Sequence, residues 1–436
     1  MDILSINDTP GQHAPSWYAA TANAPGPYPT ASGTLTCDVC IIGGGYAGLS
    51  AALHLARAGM DVLLLEASRV GSGASGRNGG QVSMGQRLEQ GDLEELVGKD
   101  KARLLWDMGA DSVALLKSLL QESGDNCEWR DGVIHANHRD RFSAHSKAHV
   151  AHMQAAYGYD QIRYLDRDEI RHEVGSDDYQ SGTLDMGSGH LHPLKYAFAL
   201  ARLAEAAGAK LFELSRVTKI EHRSSAGSKP RVYTDQAVIQ ADHLILAMNG
   251  YHNNILPRIA RKVMPINNFI AVTEPLPQDI ADRLIPNRHA VADSRFVINY
   301  FRLSEDNRMI FGGGESYGYK FPSDLRAKVR GPMLKVFPDL KAKLDYAWGG
   351  TLGITMSRLP SFQRLGPSTL STAGFSGQGV ALATLAGQIA AETVTTQASR
   401  FDLMADLPTP SFPGGHALRT PLLAAAMTWY ALRDRL

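Results

Sequence analysis

The chain has 436 residues, and its 44 lysines plus arginines are balanced by 44 aspartates plus glutamates, so its formal net charge is zero. This length predicts roughly two to three domain-sized units. The balanced charge excludes a sequence-wide basic field that would attract nucleic acid or anionic lipid, so we expect no nucleic-acid partner. The 42 glycines make up a larger share of the 436 residues than the usual share of about 7%, which indicates many positions with special backbone geometry.

Cysteine usage and hydropathy set further limits. Cys37, Cys40 and Cys127 are too few for a disulfide framework and are interpreted as small core hydrophobes in a reducing compartment. No basic segment followed by an apolar stretch opens the chain, so a signal peptide is not evident and we expect a cytoplasmic protein. The apolar stretch from Leu422 to Leu432 is far shorter than the roughly 20 residues that span a bilayer and is interpreted as a packed terminal helix. We therefore expect no transmembrane segment.

The first predicted elements form a strand, helix, strand unit. Residues 1–33 lack periodicity and are rich in Pro, Gly, Ala and Ser, which predicts an extended arm docked on the fold. Residues 38–42 read as a buried strand, a helix ends at Gly59, and residues 61–65 form the next strand. The later predictions are a helix over 93–121, strands over 129–136, a charged helical region over 139–173, a helix over 193–208, strands over 210–221, 231–238, 243–248, 266–273 and 296–312, and a glycine turn with a helix over 375–393.

A glycine motif stands between the first strand and the first helix. Gly43, Gly45 and Gly48 form G-x-G-x-x-G, in which the glycines permit a tight turn, approach of a pyrophosphate and close packing of helix on strand. Glu66 follows 18 residues after Gly48, at the end of the second strand, where its carboxylate can accept hydrogen bonds from an adenosine ribose. Together these features predict a dinucleotide, with the helix N-terminus facing its phosphates. The predicted contacts in this unit are Gly43, Gly45, Tyr46, Ala47, Gly48, Glu66 and Ala67.

Two further segments favour FAD over a nicotinamide cofactor. The loop Gly71 to Gln81 (GSGASGRNGGQ) can lie along a flavin, with Arg77 near a phosphate or the flavin O2 side. The turn Gly374 to Gly379 (GFSGQG) precedes a helix whose N–H groups and dipole suit the N1/O2 edge of a reduced flavin. A solvated loop and an ordinary helix cap are the alternatives. The predicted contacts here are Ser75, Arg77, Asn78, Gly79, Gly80, Gln81, Gly377, Gln378, Gly379 and Val380, with the backbone of Val217 against the adenine.

The order of elements predicts an α/β protein in which a Rossmann-type FAD-binding domain is interleaved with a strand-rich α+β substrate domain. A second dinucleotide motif is not found, since Gly312 to Gly314 lack the spacing and a following helix, so electrons are expected to come from an organic substrate. The predicted limits are an arm over 1–35, a discontinuous FAD-binding domain over 36–92, 180–262 and 350–436, and a substrate domain over 93–179 and 263–349.

Six motifs resemble one known family. DVCIIGGGYAGLSAALHLARAG, GSGASGRNGGQ, SGHLHPL, NRMIFGGG, GFSGQGV and the ending FPGG…LRDRL are similar to the γ-glutamylputrescine oxidase branch of the D-amino-acid-oxidase-like flavoproteins, over residues 17–436. The first motif is shared by many flavoproteins, and GASGRNGGQ with SGHLHP is more specific. The resemblance implies oxidation of a primary amine of a γ-glutamylated diamine to an aldehyde, through an imine, during polyamine breakdown. It also implies FAD held non-covalently, because the GASGRNGGQ loop contains neither cysteine nor histidine and every cysteine lies before residue 128.

Two positions and one segment depart from related patterns. Gln378 stands where the branch more often has histidine, and Ala381 stands where the sarcosine-oxidase branch has a lysine for the substrate carboxylate. A simple α-amino acid bound through that lysine is therefore disfavoured. The segment from Arg308 to Gly314 contains no lysine to assist reaction with oxygen, so oxygen or another acceptor remains open.

Candidate pocket residues fall mostly in the strand-rich insert. Aromatic walls can desolvate an amine, and Arg302, or another arginine such as Arg358, could hold a distal carboxylate. Core packing is the alternative for the aromatics, and a surface ion pair is the alternative for Arg302. His190 and His192 share a strand face, but no acid or cysteine nearby supports a metal site, and none is expected. The pocket candidates are His190, Tyr300, Phe301, Arg302, Phe311 and Trp348. An N-methyl or D-amino acid substrate, and a flavin-binding subunit without turnover, are the alternative functions.

Overall fold

A computed structural model describes residues 2–222, 229–252, 255–316 and 318–413. The helices are α1 (Trp17–Thr21), α2 (Tyr46–Arg57), α3 (Gln90–Val97), α4 (Lys99–Ser123), α5 (Ser143–Tyr157), α6 (Arg167–Glu173), α7 (Pro193–Ala206), α8 (Pro257–Ala260), α9 (Gln278–Leu284), α10 (Leu325–Val336), α11 (Val380–Thr395) and α12 (Ser399–Ala405). The strands are β1 (Gly33–Ile42), β2 (Val62–Leu65), β3 (Gln81–Val82), β4 (Arg130–Asn137), β5 (Ile162–Leu165), β6 (Ser181–His190), β7 (Lys210–Phe212), β8 (Val217–Glu221), β9 (Arg231–Thr234), β10 (Ala237–Leu246), β11 (Met264–Thr273), β12 (Ala290–Asp293), β13 (Tyr300–Leu303), β14 (Met309–Ser316), β15 (Leu344–Ile354), β16 (Ser361–Gly366) and β17 (Thr369–Ala373).

The first sheet has the order β16-β17-β10-β1-β2-β7, with β9 beside β10 and β8 beside β9. Its central strands are parallel, since β1 pairs in parallel with both β10 and β2. Both faces are covered, which explains why β2 (VLLL) is buried along its whole length. Helices α2, α4, α7 and α11 contribute to the apolar cluster on one face, and a smaller apolar cluster fills the other. We call this sheet and its helices the first unit.

The second sheet has the order β15-β11-β14-β13-β12-β4-β6-β3, with β5 beside β6. It mixes antiparallel pairs with the parallel pair β12 and β4. One face packs against α6, α9 and α10 around Phe301, Phe311 and Ile134. The opposite face carries Trp348 and Ile270, which join the apolar cluster of the first unit. This opposite face therefore looks toward the glycine motif and α2.

These two sheets confirm the predicted fold class: an α/β fold with a parallel sheet of the FAD-binding kind and a curled mixed sheet. Several elements differ from the sequence prediction. The helix predicted over 93–121 is two helices, α3 and α4, separated at Gly98, whose φ is +82°. The region 139–173 contains the strand β5, which pairs with β6. Helix α4, which falls in the segment 93–179 assigned to the substrate domain, packs on α7 and α11 of the first unit. Strand β6, which falls in the segment 180–262 assigned to the FAD-binding domain, lies in the second sheet.

The N-terminal arm docks along both units. The Asn7 side chain donates to the Tyr319 carbonyl oxygen over 2.7 Å, and Asp8 pairs with Arg77 at 2.8 Å. Trp17 and Tyr18 are buried, with Tyr18 against Trp348 at a ring distance of 5.0 Å. Docking thus gives the arm the order that its own sequence does not supply.

Within these described ranges, no helix is long and apolar enough to cross a membrane, and no group of three or more His, Cys, Asp or Glu side chains is arranged to hold a metal. The stretch from Leu422 to Leu432, interpreted as a terminal helix, lies outside the described residues, as does most of the FPGG…LRDRL ending.

Candidate active site

The glycine motif brings α2 very close to the end of β1. A Cβ atom on Gly48 would lie 1.9 Å from the Gly43 carbonyl oxygen, so only glycine fits this contact. Gly43 itself has φ +114°, and a Cβ there would lie 2.7 Å from the Ala247 carbonyl oxygen. The helix that follows begins at Tyr46, with Ala47 in its first turn, and its free N–H groups face the end of the sheet.

Glu66 lies directly after β2 and beside this turn. Its carboxylate accepts hydrogen bonds from the Gly44 N–H at 2.7 Å and the Ser68 N–H at 2.9 Å, and the Ala67 backbone is adjacent. Desolvation raises the pKa of Glu66, and the backbone donors partly oppose that rise. Because the carboxylate is oriented by the main chain and still half-exposed, it can accept further hydrogen bonds from a ligand.

The loop over residues 71–81 links Glu66's end of the site to the second sheet. Ser75 Oγ accepts a 3.0 Å hydrogen bond from the Tyr46 N–H, the first N–H of α2. Asn78 donates to the Ala74 and Ser75 carbonyls and accepts from the Gly80 N–H at 2.8 Å. These contacts fix the loop in a path from the helix N-terminus to the face of the second sheet.

The far end of the loop is held by the second sheet. Gln81 Nε2 donates to the Val291 carbonyl over 2.8 Å, and Arg77 donates to the Ser72 and Gly349 carbonyls at 2.6 and 3.1 Å. With Asp8 as its ion-pair partner as well, Arg77 braces the loop, the arm and β15 together. Val217, proposed to contact the adenine, is buried at the start of β8.

The glycine turn before α11 closes another side of the site. Gly377 has φ +91°, and a Cβ placed there would meet open space within 4 Å. Gln378 Nε2 donates to the Gly85 carbonyl at 3.1 Å, which joins the turn to the segment over residues 83–89. Gly379 precedes α11, whose first residue, Val380, is buried. The turn thus has open space beside Gly377. It also leads directly into the first turn of α11, whose N–H groups have no partner within the helix.

Four titratable side chains between these elements are accessible to solvent and are nevertheless closely surrounded by protein. Glu66, Arg87 and Tyr300 are half-exposed and His135 is exposed, yet desolvation is the first cause of every one of their pKa shifts. Desolvation raises the pKa of the acid and the phenol and lowers that of the two bases. We therefore assign these four residues to one candidate cleft, which lies between the glycine motif, the turn before α11 and the second sheet.

The strand register places one row of side chains across the wall of this cleft. In the order β15, β11, β14, β13, β12, β4 and β6, the row is Trp348, Ile270, Gly312, Tyr300, Ala292, His135 and Thr183. Neighbouring strands are about 4.8 Å apart, so His135 lies roughly 10 Å from Tyr300 on the same face. Phe301 and Phe311 alternate to the other face, where their rings stack 5.3 Å apart, so they do not reach the cleft.

Tyr300 stands over the loop that approaches from the glycine motif. A Cβ on Gly79 would lie 2.6 Å from its ring, and one on Gly312 would lie 2.0 Å from it, so two glycines make room for the phenol. Its hydroxyl donates to Asn268 Oδ1 over 2.5 Å. Tyr300 and Asn268 therefore present an ordered aromatic and polar pair to the cleft.

Arg302, Trp348 and His190 lie deeper. Arg302 is buried and donates from Nε to the Gly79 carbonyl at 2.9 Å and from Nη2 to the Leu191 carbonyl at 3.0 Å. Trp348 Nε1 donates to the Arg77 carbonyl at 3.0 Å. His190 Nε2 meets the Arg288 carbonyl at 2.9 Å, and burial lowers the His190 pKa to about 3. These hydrogen bonds to main-chain carbonyls favour a structural role for all three residues, in which they hold the wall of the cleft in place.

Sequence patterns did not single out His135, Arg87 or Asn268. The alternation of His135 with buried Ile134 and Ala136 is a pattern that could have marked it as facing the other side of the sheet. Arg87 lies in a short segment without periodicity, and its position depends on Ser376, whose carbonyl accepts from Arg87 Nε at 3.3 Å. Nothing local in the sequence predicts that contact.

The arrangement fits an extended FAD molecule. Glu66 and the α2 N-terminus suit an adenosine ribose and pyrophosphate, and the close approach of Gly43 and Gly48 leaves the turn without side chains. The loop over residues 71–81 then leads to Tyr300, and the turn at Gly377 is joined through Gln378 to Gly85, shortly after this loop. The described residues therefore place helix N-termini on two sides of the loop over residues 71–81, at α2 and at α11.

Comparison with known proteins agrees with this arrangement. A family model described as FAD dependent oxidoreductase (DAO) matches residues 38–393. The γ-glutamylputrescine oxidoreductase of Escherichia coli is 40% identical over 427 residues, covering 98% of this chain and 99% of that protein. The probable oxidoreductase OrdL of Rhizobium meliloti is 40% identical over 421 residues, or 96% and 97% of the two chains. Glycine oxidase from Geobacillus kaustophilus shares the fold, with a TM-score of 0.71, 21% identity and coverage of 86% and 99%.

We expect Glu66→Gln to weaken FAD retention while the fold survives, because the change removes the charge that would strengthen two hydrogen bonds to the ribose. The FAD dissociation constant should rise about 10- to 100-fold, as expected for charge-assisted hydrogen bonds. Flavin fluorescence during dilution measures it. Glu122→Gln, at an exposed carboxylate, serves as the control. Full FAD occupancy of the Glu66 variant after dilution would remove Glu66 from the cofactor site.

His190 should make folding stability depend on acid. Its pKa is about 3 in the folded chain against 6.5 unfolded, so the unfolded chain binds more protons between these values. Stability is therefore lost as pH falls through this window, by about 1.4 kcal/mol per pH unit for one proton. Urea denaturation at pH 7.5, 6.5 and 5.5 should show a shallower loss for His190→Gln than for the unmodified chain. Parallel pH profiles would mean that His190 is not held neutral.

Proposed function

Because the chain belongs to the DAO family of FAD-dependent oxidoreductases, we propose that it oxidises the free primary amine of a γ-glutamylated diamine such as γ-glutamylputrescine. The observation that carries this proposal is the 40% identity to the E. coli γ-glutamylputrescine oxidoreductase over 98% of the chain. The product is the aldehyde, which forms through an imine. With a γ-glutamylated diamine as the substrate, the reaction belongs to polyamine catabolism. FAD is the cofactor of the family.

The cleft wall has the chemistry that such an amine needs. An amine must lose its ammonium proton before oxidation, and desolvation favours the neutral form. Desolvation also lowers the pKa of His135, so its imidazole is neutral near pH 7 and adds no positive charge beside an incoming amine. Tyr300 supplies an apolar ring face and a hydroxyl fixed by Asn268. Together, the Tyr300 ring, its hydroxyl and the neutral His135 can bind and orient an aminomethyl group.

The reaction balances without a strong catalytic base. FAD, when bound, would supply the two-electron acceptor that oxidation of the amine-bearing carbon requires. The amine nitrogen loses a proton as the carbon–nitrogen double bond of the imine forms, and neutral His135 has a nitrogen lone pair that can accept it. Water then adds to the imine and releases ammonia and the aldehyde. Oxygen or another acceptor completes the cycle.

A γ-glutamyl group removes a specific cost of binding. Free putrescine carries two ammonium groups, so placing one end beside Tyr300 would bring the second charge into a desolvated cleft. Amide formation removes this charge and adds a distal carboxylate whose binding energy can position the reacting carbon. Arg302 donates to two main-chain carbonyls and is buried, so other arginines of the cleft are better placed for that carboxylate.

The enzyme should prefer the blocked diamine. We expect kcat/KM for γ-glutamylputrescine to exceed that for putrescine by at least about 100-fold, since an uncompensated buried charge costs several kcal/mol. Anaerobic flavin reduction by a panel containing both amines, an N-methyl amino acid and a D-amino acid measures the preference without reference to the acceptor. Equal efficiencies for the two amines, or faster reduction by an amino acid, would contradict the substrate assignment.

FAD should be released intact by acid or heat. Covalent attachment needs a nucleophilic side chain at the ring, and burial raises the pKa of each cysteine thiol, to about 12 for Cys37 and Cys127. Acid precipitation should therefore leave a colourless pellet and a yellow supernatant whose flavin runs as FAD. A yellow pellet would show covalent attachment, and His135 would then be the first position to test because it lies in the cleft.

A further inference from the structure

Arg87 and Arg358 are linked through Ser376 and Thr355, since Ser376 accepts from Arg87 and from the Thr355 N–H, and Thr355 accepts from the Arg358 N–H. Arg87 Nε donates to the Ser376 carbonyl at 3.3 Å, which anchors its guanidinium against the glycine turn before α11. Desolvation, followed by the nearby charge of Arg358, lowers the pKa of Arg87. Desolvation opposes the charged form of Arg87, and a second positive charge nearby adds to that cost unless an anion is present.

In the described ranges, no aspartate or glutamate oxygen lies within 4.0 Å of either guanidinium. By contrast, the buried Arg77 has Asp8 at 2.8 Å. Arg358 adopts φ +64°, a left-handed conformation unfavourable for a residue with a side chain, and its N–H donates to the Thr355 carbonyl at 3.3 Å. Strained non-glycine residues of this kind concentrate at functional sites.

Glu315 supplies the opposite charge nearby. It pairs in register with Asn268, the residue that accepts the Tyr300 hydroxyl hydrogen bond. Its charge raises the pKa of Tyr300 and opposes the lowering of the Arg87 pKa, so it acts on both. Glu315 therefore lies beside Asn268 and within electrostatic range of both Tyr300 and Arg87, and Arg358 lies within electrostatic range of Arg87.

We propose that Arg87 and Arg358 bind the α-carboxylate of the substrate's γ-glutamyl group and that Glu315 binds its α-ammonium. This inference rests on the proposed function. A γ-linked glutamyl group is zwitterionic at its free end, and the cluster offers the matching charges. Guanidiniums suit a carboxylate because their N–H groups form paired hydrogen bonds with it.

The same cluster disfavours the free diamine. The second ammonium of putrescine would reach toward Arg87 and Arg358, where like charges repel it in a desolvated setting. Glu315 alone offsets one of those two positive charges. The cluster therefore selects for the γ-glutamyl group twice, by binding its carboxylate and by repelling a bare ammonium.

Two substrate analogues separate the two halves of this subsite. In 4-aminobutanoylputrescine the carboxylate is absent, and in glutarylputrescine the α-amino group is absent. We expect the unmodified enzyme to prefer γ-glutamylputrescine over each by about 10- to 100-fold in the rate constant of anaerobic flavin reduction divided by the dissociation constant. Arg87→Gln and Arg358→Gln should lose the preference over 4-aminobutanoylputrescine and keep that over glutarylputrescine. Glu315→Gln should show the reverse.

Arg364→Gln is the matched control, because Arg364 pairs with Asp402 on the outer surface. It should keep both preferences. If Arg87→Gln fails to retain FAD, the Arg358 and Glu315 variants still decide the question, because Ser376 has no hydrogen bond from either side chain in the described residues. Unchanged preferences in those two variants would overturn the subsite, as would equal rates for all three amides in the unmodified enzyme. Failure of γ-glutamylputrescine to reduce the flavin, with reduction by another amine, would overturn the proposed function itself.

Discussion

The close approach of α2 to the end of β1 is the contact on which the rest of the site depends. It requires glycine at position 48, because a Cβ there would lie 1.9 Å from the Gly43 carbonyl oxygen. The approach aims the N-terminus of α2 at the edge of the sheet, beside Glu66. Helix α11 then packs on α2 through Gly387, where a Cβ would lie 2.3 Å from the Ala47 carbonyl oxygen. This second close contact positions the glycine turn that precedes α11, and with it the anchor of Arg87.

The second sheet completes the site through its register. Its helix-covered face carries Phe301 and Phe311, so alternation sends Tyr300 and Arg302 to the cleft side. Glycines at 79 and 312 leave space for the Tyr300 ring. A shift of the register by one residue would bury the phenol among the helices and would move Phe301 to the cleft side. The apolar core on one face therefore determines which side chains the opposite face presents.

The parts of the fold that the sequence predicted are those specified over short distances. The glycine motif, α2, β2 and Glu66 lie within residues 33–66, and their order was readable from periodicity and glycine spacing. Strand β15 (LDYAWGGTLGI) was not predicted, since its glycines interrupt any alternation and its pairing with β11 joins distant segments. Arg87 was missed for a similar reason: the carbonyl that anchors it lies 289 residues further along the chain. Physical proximity of this kind leaves no local pattern.

The two ends of the site differ in how far apart along the sequence their contacting residues lie. The end that fits the adenosine is formed by main-chain contacts among neighbouring residues, such as the Gly44 and Ser68 N–H groups on Glu66. The end beside Tyr300 is formed by side chains from separate segments, with Arg87, His135, Glu315 and Arg358 each on a different strand or loop. Exchange of one such side chain alters the charge or polarity at this end of the site and leaves the turn, the helix and Glu66 in place. One fold can therefore keep the same cofactor-binding end while the other end changes to suit different substrates.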